Sequence, residues 1–249
     1  MPAELSRALE LVAPGTDLRA AIENIIRAQN GALIVFGRPE RLEDLGIISG
    51  GMRVELEFAP MRLYELAKMD GAIVVSPSVS AIHYANVHLN PDPGYESEET
   101  GMRHIAAHRT AQQTGSLVIA VSERRRVVSL YQGSYGLHVL EDIGVVLSKA
   151  NSAIATLEKF TSRLRDEARG LTVHEYDGAV TLREVAGAVV TFEYSARIAE
   201  EIEAYVRELG SEGRLIEMQL EQAFHGVPEQ YEALLKDYVA EEADYDSIK

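Results

Sequence analysis

Residues 1–143 alternate between helical patterns and short apolar runs. After Thr16, a candidate N-cap, apolar residues recur every three or four positions up to Asn30-Gly31, which predicts an amphipathic helix. The run "ALIVF" predicts a buried strand, and "MRLYELAKM" before Asp70 predicts another helix. Short polar segments separate "AIVVS" from "AIHYANVHL" and "SLVIAVS" from "VVSLYQG", which predicts two hairpins. The pattern therefore predicts an α/β fold, with a mixed β-sheet flanked by helices.

From residue 144 onwards the strand signal gives way to long helical patterns. The segment "GVVLSKANSAIATLEKFTSRLRDEA" predicts a helix of about 25 residues, because it contains no helix breaker. Helical patterns continue over 180–207 and 211–225, and a last helix is predicted from Pro228, before the acidic "EEADYD". We therefore predict two domains, an α/β domain over 1–143 and an all-α domain over 144–249.

The charge balance limits the partners of the chain. Asp and Glu number 39 against 24 Lys and Arg, giving a formal net charge of -15. This balance argues against a DNA-binding surface spread over the whole molecule, so a polyanion would have to meet a local basic site. The absence of cysteine excludes thiolate nucleophiles and Cys-type zinc sites. With no signal peptide or apolar span, we expect a cytoplasmic protein that does not enter a membrane.

Asp70-Gly71-Ala72 lies where a predicted helix gives way to a strand. An Asp there suits a divalent metal or a hydroxyl, and the glycine lets a ligand approach the backbone. A tight turn explains the tripeptide equally well, and Asp177-Gly178-Ala179 repeats it where a turn before a helix is sufficient. The tripeptide alone leaves both interpretations open.

The segment "ETGMRHIAAHRTAQQTG" carries two histidines and two arginines at helical spacing. His104 and His108 would share one helix face and could chelate zinc, but a third ligand and the Glu of a His-Glu-x-x-His motif are missing. We therefore favour a phosphate-facing or solvent-facing role for this pair. Arg103, Arg109 and the turn Arg124–Arg126 could form a local anion site. No phosphate-binding loop or dinucleotide-binding motif accompanies them.

Five segments, in order and spacing, resemble the DNA-integrity-scanning diadenylate cyclase family, DisA. They read "KMDGAIVVS", "YANVHLNPDP", "ETGMRH", "AQQTGSLVIAVSERRRVVSLYQG" and "SKANSAIATLEKF". The resemblance starts near "LVAPGTDLR" and extends, more loosely, to "GSEGRLIEMQL". It implies a cyclase domain over 1–143 and a helical linker and oligomerisation domain over 144–249. The helix-hairpin-helix DNA-binding domain of that family would follow the end of this chain.

The resemblance also implies an activity. Members of the family condense two ATP molecules into cyclic di-AMP with release of pyrophosphate, using Mg²⁺ or Mn²⁺, across cyclase domains that meet face to face in an octamer. By position, the catalytic residues would be Asp70, which would also hold the metal, Arg103 and His104. The nucleotide-binding residues would be Gly71, Ala72, Leu89, Gly101, Ser122 and Arg125.

Residues 100–107, which we call the second motif because they follow the Asp-Gly-Ala motif, depart from the family pattern. The family reads Thr-Gly-Thr-Arg-His-Arg-Thr-Ala, whereas this chain has Met102, Ile105 and Ala106 in place of two hydroxyls and one guanidinium. We therefore expect weakened or altered cyclase activity. The segment His108-Arg109-Thr110-Ala111 supplies similar groups about 6 Å further along a helix, and we expect no compensation from it.

Three alternatives to a working cyclase stay open. The first is a catalytically inactive paralogue that binds or senses nucleotide or acts as a scaffold. The second is changed specificity, in which Met102, Ile105 and His108 shape a pocket for another nucleotide. The third and weakest is a zinc hydrolase that uses His104 and His108.

Overall fold

The computed structural model describes residues 3–133 and 136–238 and divides the chain into two compact units, Met1–Asp142 and Ile143–Lys249. In the first unit the helices are α1 Ala3–Val12, α2 Asp17–Arg27, α3 Pro39–Asp44, α4 Pro60–Leu66 and α5 Met102–Thr114. Its strands are β1 Ala32–Phe36, β2 Ile48–Ser49, β3 Met52–Glu57, β4 Ala72–Val75, β5 Ala81–Leu89, β6 Leu117–Val121, β7 Val128–Gln132 and β8 Leu137–Val139.

The strands of the first unit form one mixed sheet in the order β2-β5-β4-β1-β6-β7-β8, and β3 also pairs with β5. Strands β1 and β4 run parallel, while β1 and β6 run antiparallel. Both predicted hairpins are present, since β4 pairs antiparallel with β5 and β6 pairs antiparallel with β7. The predicted mixed sheet with flanking helices is confirmed.

The central strands are buried on both faces, which explains their continuous apolar sequences. On one face, alternate residues such as Ile34 and Ile119 pack with α1, α2 and α4. On the other face, Val35 and Val118 pack with Ala107 of α5. The small alanines of α5, spaced one turn apart, let this helix lie close to the sheet.

The sequence pattern missed the short and polar elements. Helices α1 and α3 and strands β2, β3 and β8 were not predicted. Strand β3 alternates half-buried and exposed residues and carries Glu55 at a φ of 44°, where the pairing with β5 shifts register. Such an irregular strand lacks the strict alternation on which strand prediction depends.

All regular secondary structure in the described residues of the second unit is helical. It contains α6 Ile143–Tyr176, α7 Leu182–Leu209, a 3₁₀ turn over Gly210–Gly213, α8 Arg214–Phe224 and α9 Val227–Tyr238. Helix α6 has 34 residues, so it is longer than the sequence predicted. Its apolar side packs with α7, α8 and α9 through two clusters, one around Leu157 and Ile202 and one around Phe192 and Tyr231.

The second Asp-Gly-Ala tripeptide lies in the helical unit. Asp177 and Gly178 form a turn between α6 and α7, so the second Asp-Gly-Ala is a helix connection. The predicted acidic ending lies outside the described residues. Among the helices that the structure describes, none has the length and apolarity needed to cross a bilayer.

The cap of α2 gives a test of the fold. The Thr16 side chain accepts a hydrogen bond from the Arg19 amide at 3.1 Å, as an N-cap does. We expect Thr16→Ala to destabilise the first turn of α2 by about 1 kcal/mol, which speeds hydrogen exchange at the Arg19 amide about fivefold. Thr16→Ser keeps the hydroxyl and serves as the control. Unchanged exchange in Thr16→Ala would contradict the assignment.

Candidate functional site

Four strand ends meet at one end of the sheet. Ala32, the first residue of β1, pairs with Val121, the last residue of β6. Ala72, the first residue of β4, pairs with Val87 near the end of β5. The register therefore brings the segments around Gly71, Leu89 and Ser122 to the same end of the sheet.

Helix α5 begins at this same end. It packs against β6 and is joined to the start of that strand by Gly115, which adopts a left-handed φ of 69°. Because the helix and strand run in opposite directions, the N-terminus of α5 lies beside the end of β6. Gly101, Arg103 and His104 are thus placed with Ser122 and with Arg125 of the β6–β7 turn. All of the site residues predicted from the sequence lie at this end of the sheet.

Asp70 and Gly71 form a bend before β4. Gly71 has a φ of 101°, and a Cβ there would come within 2.9 Å of the Val87 carbonyl oxygen and of Asn86 atoms. The glycine is therefore required by the close approach of the bend to β5. The Asp70 side chain is exposed and forms no hydrogen bond or ion pair with a described residue. A free carboxylate of this kind fits Mg²⁺ or Mn²⁺, which accept one or two protein carboxylates together with substrate phosphates.

Arg103 occupies space that a glycine leaves open. A Cβ on Gly31, the residue before β1, would overlap a terminal nitrogen of the Arg103 guanidinium. The half-buried guanidinium therefore rests over the Gly31 backbone, at the start of β1. Arg103 is thereby held at the sheet end rather than extended into solvent.

His104 is buried and belongs to a chain of hydrogen bonds. Its Nδ1 lies 2.9 Å from the hydroxyl of Tyr131 in β7, and that hydroxyl donates to the Glu99 carboxylate at 2.9 Å. Burial lowers the pKa of His104, opposed by the charge of Glu99 and aided by those of Arg125 and Arg103. Burial and the bond to Glu99 raise the pKa of Tyr131, which keeps it a phenol. Tyr131 and Glu99 were not predicted as site residues.

The segment 92–99, which we call the α5-bound loop, lies along α5 and is held by three of its side chains. Gln113 accepts from the Asp92 amide at 2.9 Å, and Arg109 donates to the Tyr95 carbonyl at 2.8 Å. Further towards the start of the helix, His108 Nδ1 lies 3.0 Å from the Ser97 hydroxyl. These contacts place Glu99, at the end of this loop, within hydrogen-bonding distance of Tyr131.

These contacts bear on two possibilities that the sequence left open for α5. Arg109 donates through Nε to the Tyr95 carbonyl of the α5-bound loop, whereas the Arg103 guanidinium lies over Gly31. The His108 ring nitrogens lie near Ser97 and Gln112, and the ring stacks on Tyr131 at 5.6 Å between centroids. His104 and His108 therefore have different hydrogen-bond partners, although both rings contact Tyr131. No group of three or more potential metal ligands from His, Cys, Asp and Glu occurs among residues 3–133 and 136–238.

The changed positions of the second motif differ in their surroundings. Met102 is 83% exposed at the first position of α5, and Ile105 is half-buried. Ala106 packs against the apolar cluster between α5 and the sheet. Thr110, the shifted hydroxyl, is fully buried and its Oγ1 has no described partner. The segment 108–111 therefore does not replace the two hydroxyls and the guanidinium that are missing at Met102, Ile105 and Ala106.

The remaining predicted residues complete the sheet end. Ser122 closes the β6–β7 turn by accepting from the Arg125 amide at 3.3 Å, and the side chains of Arg124, Arg125 and Arg126 are exposed. Leu89 is half-buried, pairs with Ile48 of β2 and packs against the apolar cluster under α5. The arrangement offers the free Asp70 carboxylate and several cationic or imidazole groups around the N-terminus of a helix, which suits an anion accompanied by a divalent metal.

Comparison with known proteins defines the class. Residues 19–135 match the family described as DisA bacterial checkpoint controller nucleotide-binding. Residues 140–249 match the DisA bacterial checkpoint controller linker region. The first unit is thus a nucleotide-binding domain of the diadenylate cyclase family, followed by a helical linker. The chain belongs to the DisA family.

The chain is also similar to individual proteins of known sequence or structure. The DNA integrity scanning protein DisA of Bacillus mycoides is 47% identical over 94% of this chain and 64% of its own length. That of Bacillus cereus is 47% identical over 92% of this chain and 64% of its own length. A crystal structure of DacA from Staphylococcus aureus shares 21% identity over 56% of this chain and 91% of its own, with a TM-score of 0.41. The chain therefore spans a little under two thirds of the length of these curated relatives.

The clamp on the α5-bound loop is testable. Arg109→Ala removes the bond to the Tyr95 carbonyl, so we expect the loop to open more readily by about 1 kcal/mol. Hydrogen exchange of a peptide spanning residues 92–99 should then be about fivefold faster. Arg124→Ala removes an exposed arginine in the β6–β7 turn and serves as the control. Equal exchange in the two variants would contradict the clamp.

Proposed function

We propose that this protein is a diadenylate cyclase, a nucleotidyltransferase that condenses two ATP molecules into cyclic di-AMP. In that reaction each 3′-hydroxyl attacks the α-phosphate of the other nucleotide, two phosphodiester bonds form and two pyrophosphates leave. The observation that carries the proposal is the convergence of Asp70, Arg103 and His104 at one end of the sheet, within a domain of the diadenylate cyclase family. Phosphoryl transfer depends mainly on positioning and charge stabilisation, which these groups can supply.

Each residue has a chemical role in this proposal. Asp70 orients the attacking 3′-hydroxyl and holds Mg²⁺ or Mn²⁺, which would neutralise phosphate charge when bound. Arg103, His104 and the first amides of α5, which begins after Gly101, donate to phosphate oxygens. Gly71 and Ala72 line the nucleotide, and the backbone around Leu89 meets adenine. Ser122 and Arg125 bind phosphate from the β6–β7 turn.

One chain holds one ATP in this reaction, so two nucleotide-binding domains must face each other. We accordingly propose a homo-oligomer, an octamer in its full form, with paired sites that exchange the reacting hydroxyl and phosphate. A monomer would bind ATP without forming the cyclic product.

The altered second motif is expected to limit the rate. Met102, Ile105 and Ala106 cannot donate hydrogen bonds from their side chains. Each lost hydrogen bond to a charged phosphate costs about 1.5–3 kcal/mol, or roughly one to two powers of ten. We therefore expect turnover well below that of a site with the complete motif.

A second candidate function follows from the same positions. The exposed Met102 and half-buried Ile105 place apolar groups in the first turns of α5, where phosphate would approach. Such a surface favours a catalytically inactive protein that binds or senses nucleotide, or that serves as a scaffold.

A product assay separates the two functions. We expect purified protein with ATP and Mn²⁺, or separately Mg²⁺, to form cyclic di-AMP, detected by liquid chromatography with mass detection. Asp70→Asn should reduce product at least 100-fold, because the metal and hydroxyl lose a charged ligand. Ile105→Arg with Ala106→Thr should raise turnover at least about tenfold by restoring two phosphate donors. Leu215→Arg, at an exposed site in α8, is the control for an added arginine.

The outcomes divide clearly. Product that disappears in Asp70→Asn supports the cyclase. Bound ATP without product from the native chain, but with product from the Ile105→Arg and Ala106→Thr variant, supports the inactive paralogue and places the loss in α5. No bound nucleotide in any variant would contradict both the cyclase and the nucleotide sensor, and would leave only the scaffold.

Gly31 gives a test that needs no catalysis. Gly31→Ala should displace the Arg103 guanidinium with little loss of stability, because the far end of a flexible side chain gives way. We expect ATP to bind about tenfold more weakly. If Arg103 is the cause, Arg103→Ala should weaken binding similarly, and the double variant should show little further loss.

Isothermal titration of the four proteins measures this coupling. Gly187→Ala is the control, since a Cβ at that glycine of α7 meets open space. Additive losses in the double variant would show that Gly31 acts through something other than Arg103.

A further inference from the structure

The buried chain from Glu99 through Tyr131 to His104 fixes where the protons lie. A carboxylate only accepts hydrogen bonds, so the single proton of the Tyr131 hydroxyl goes to Glu99 at 2.9 Å. The hydroxyl oxygen is then the acceptor for His104 Nδ1, also at 2.9 Å. His104 must therefore carry its proton on Nδ1, which leaves Nε2 as the position that gains or loses the second proton.

The outer edge of the imidazole faces the start of α5. His104 Cδ2, the atom next to Nε2, lies 3.4 Å from the position of a Cβ built on Gly101, the N-cap. Nε2 itself forms no hydrogen bond with a described residue. The ring is thus bound through one nitrogen, and the other is available on the side where the proposed function places phosphate.

Before an anion binds, the surroundings of the His104 ring favour its neutral form, because burial lowers the pKa. Glu99 favours the charged imidazolium, whereas Arg103, Arg125 and burial favour the neutral ring. The His108 ring stacks on Tyr131, the hydrogen-bond partner of His104. Its Nδ1 lies 3.0 Å from the hydroxyl of Ser97, in the loop that carries Glu99. A phosphate beside Nε2 would add negative charge and tip this balance towards protonation.

We propose that Glu99 and Tyr131 are positioning residues that hold His104 with Nδ1 protonated, so that nucleotide phosphate binds together with proton uptake at Nε2. The proton comes from solvent, and Nε2–H then donates to a phosphate oxygen. This inference rests on the proposed function, because it needs phosphate at the start of α5.

The first measurement needs no ligand. Nitrogen chemical shifts of ¹⁵N-histidine in the full chain, with His104→Gln to assign the signal, report which ring nitrogen is protonated. We expect the Nδ1–H form at pH 8 in the native protein and its loss in Tyr131→Phe, which removes the acceptor. An Nε2–H form in the native protein would overturn the inference.

The second measurement uses α,β-methylene-ATP, which cannot be cyclised, so catalysis does not contribute. Binding enthalpies at one pH in buffers of different ionisation enthalpy give the number of protons taken up. We expect up to one proton per site in the native chain and none in His104→Gln. The affinity of the native chain for the analogue should weaken as pH rises from 6.5 to 8, by up to about tenfold per pH unit above the pKa of His104 in the free protein. The affinity of His104→Gln should not change over this range.

Two isosteric variants separate positioning from packing. Glu99→Gln keeps an oxygen that accepts from Tyr131 but removes the charge that favours imidazolium, so proton uptake should fall while the Nδ1–H form persists. Glu98→Gln makes the same charge change at an exposed neighbouring residue and should leave uptake at the native value. Equal uptake in both variants would overturn the role of Glu99.

The result also separates this inference from the proposed function. Nucleotide binding without proton uptake overturns the inference and leaves the proposed function standing. Failure of the native chain to bind any adenine nucleotide contradicts the proposed function and, with it, the inference.

Discussion

The burial of β1, β4 and β6 on both faces is the constraint on which the first unit depends. Ile34 and Val35 are each fully buried although they point to opposite faces, so helices must cover both sides of the sheet. Neither face can then hold a charged group without a costly desolvation. The exposed charged groups of the site therefore lie at the strand ends, around Asp70, Ser122 and the start of α5.

Helix α5 divides its residues among three tasks. Ala107 and Ala111 cover the sheet, while His108 and Arg109 bind the loop over residues 92–99. The first turn, with Arg103, is left for the sheet end. Because the middle of the helix is already committed to packing and loop contacts, groups added one turn later cannot serve the site, and the change at 102–106 has no local substitute.

The sequence was sufficient for the parts of the fold that follow from periodicity. The run around Ile34 and the hairpin ending at Leu89 were predicted because buried strands and polar turns have strong local signals. The resemblance located Asp70 and His104, and the sheet register brings their segments to one end. Tyr131 and Glu99 were missed because a tyrosine in an apolar strand has the pattern of a core residue, and only the tertiary fold shows what its hydroxyl meets.

The acidic character of the whole chain and its cationic sheet end are compatible for a local reason. Glu99 reaches His104 only through the Tyr131 hydroxyl, so its charge stabilises the imidazolium without occupying the space beside Nε2. Arg103 and Arg125 oppose that protonation while no anion is bound. A site built in this way avoids an excess of buried positive charge when empty, and it gains the extra donor only when a phosphate is present to use it.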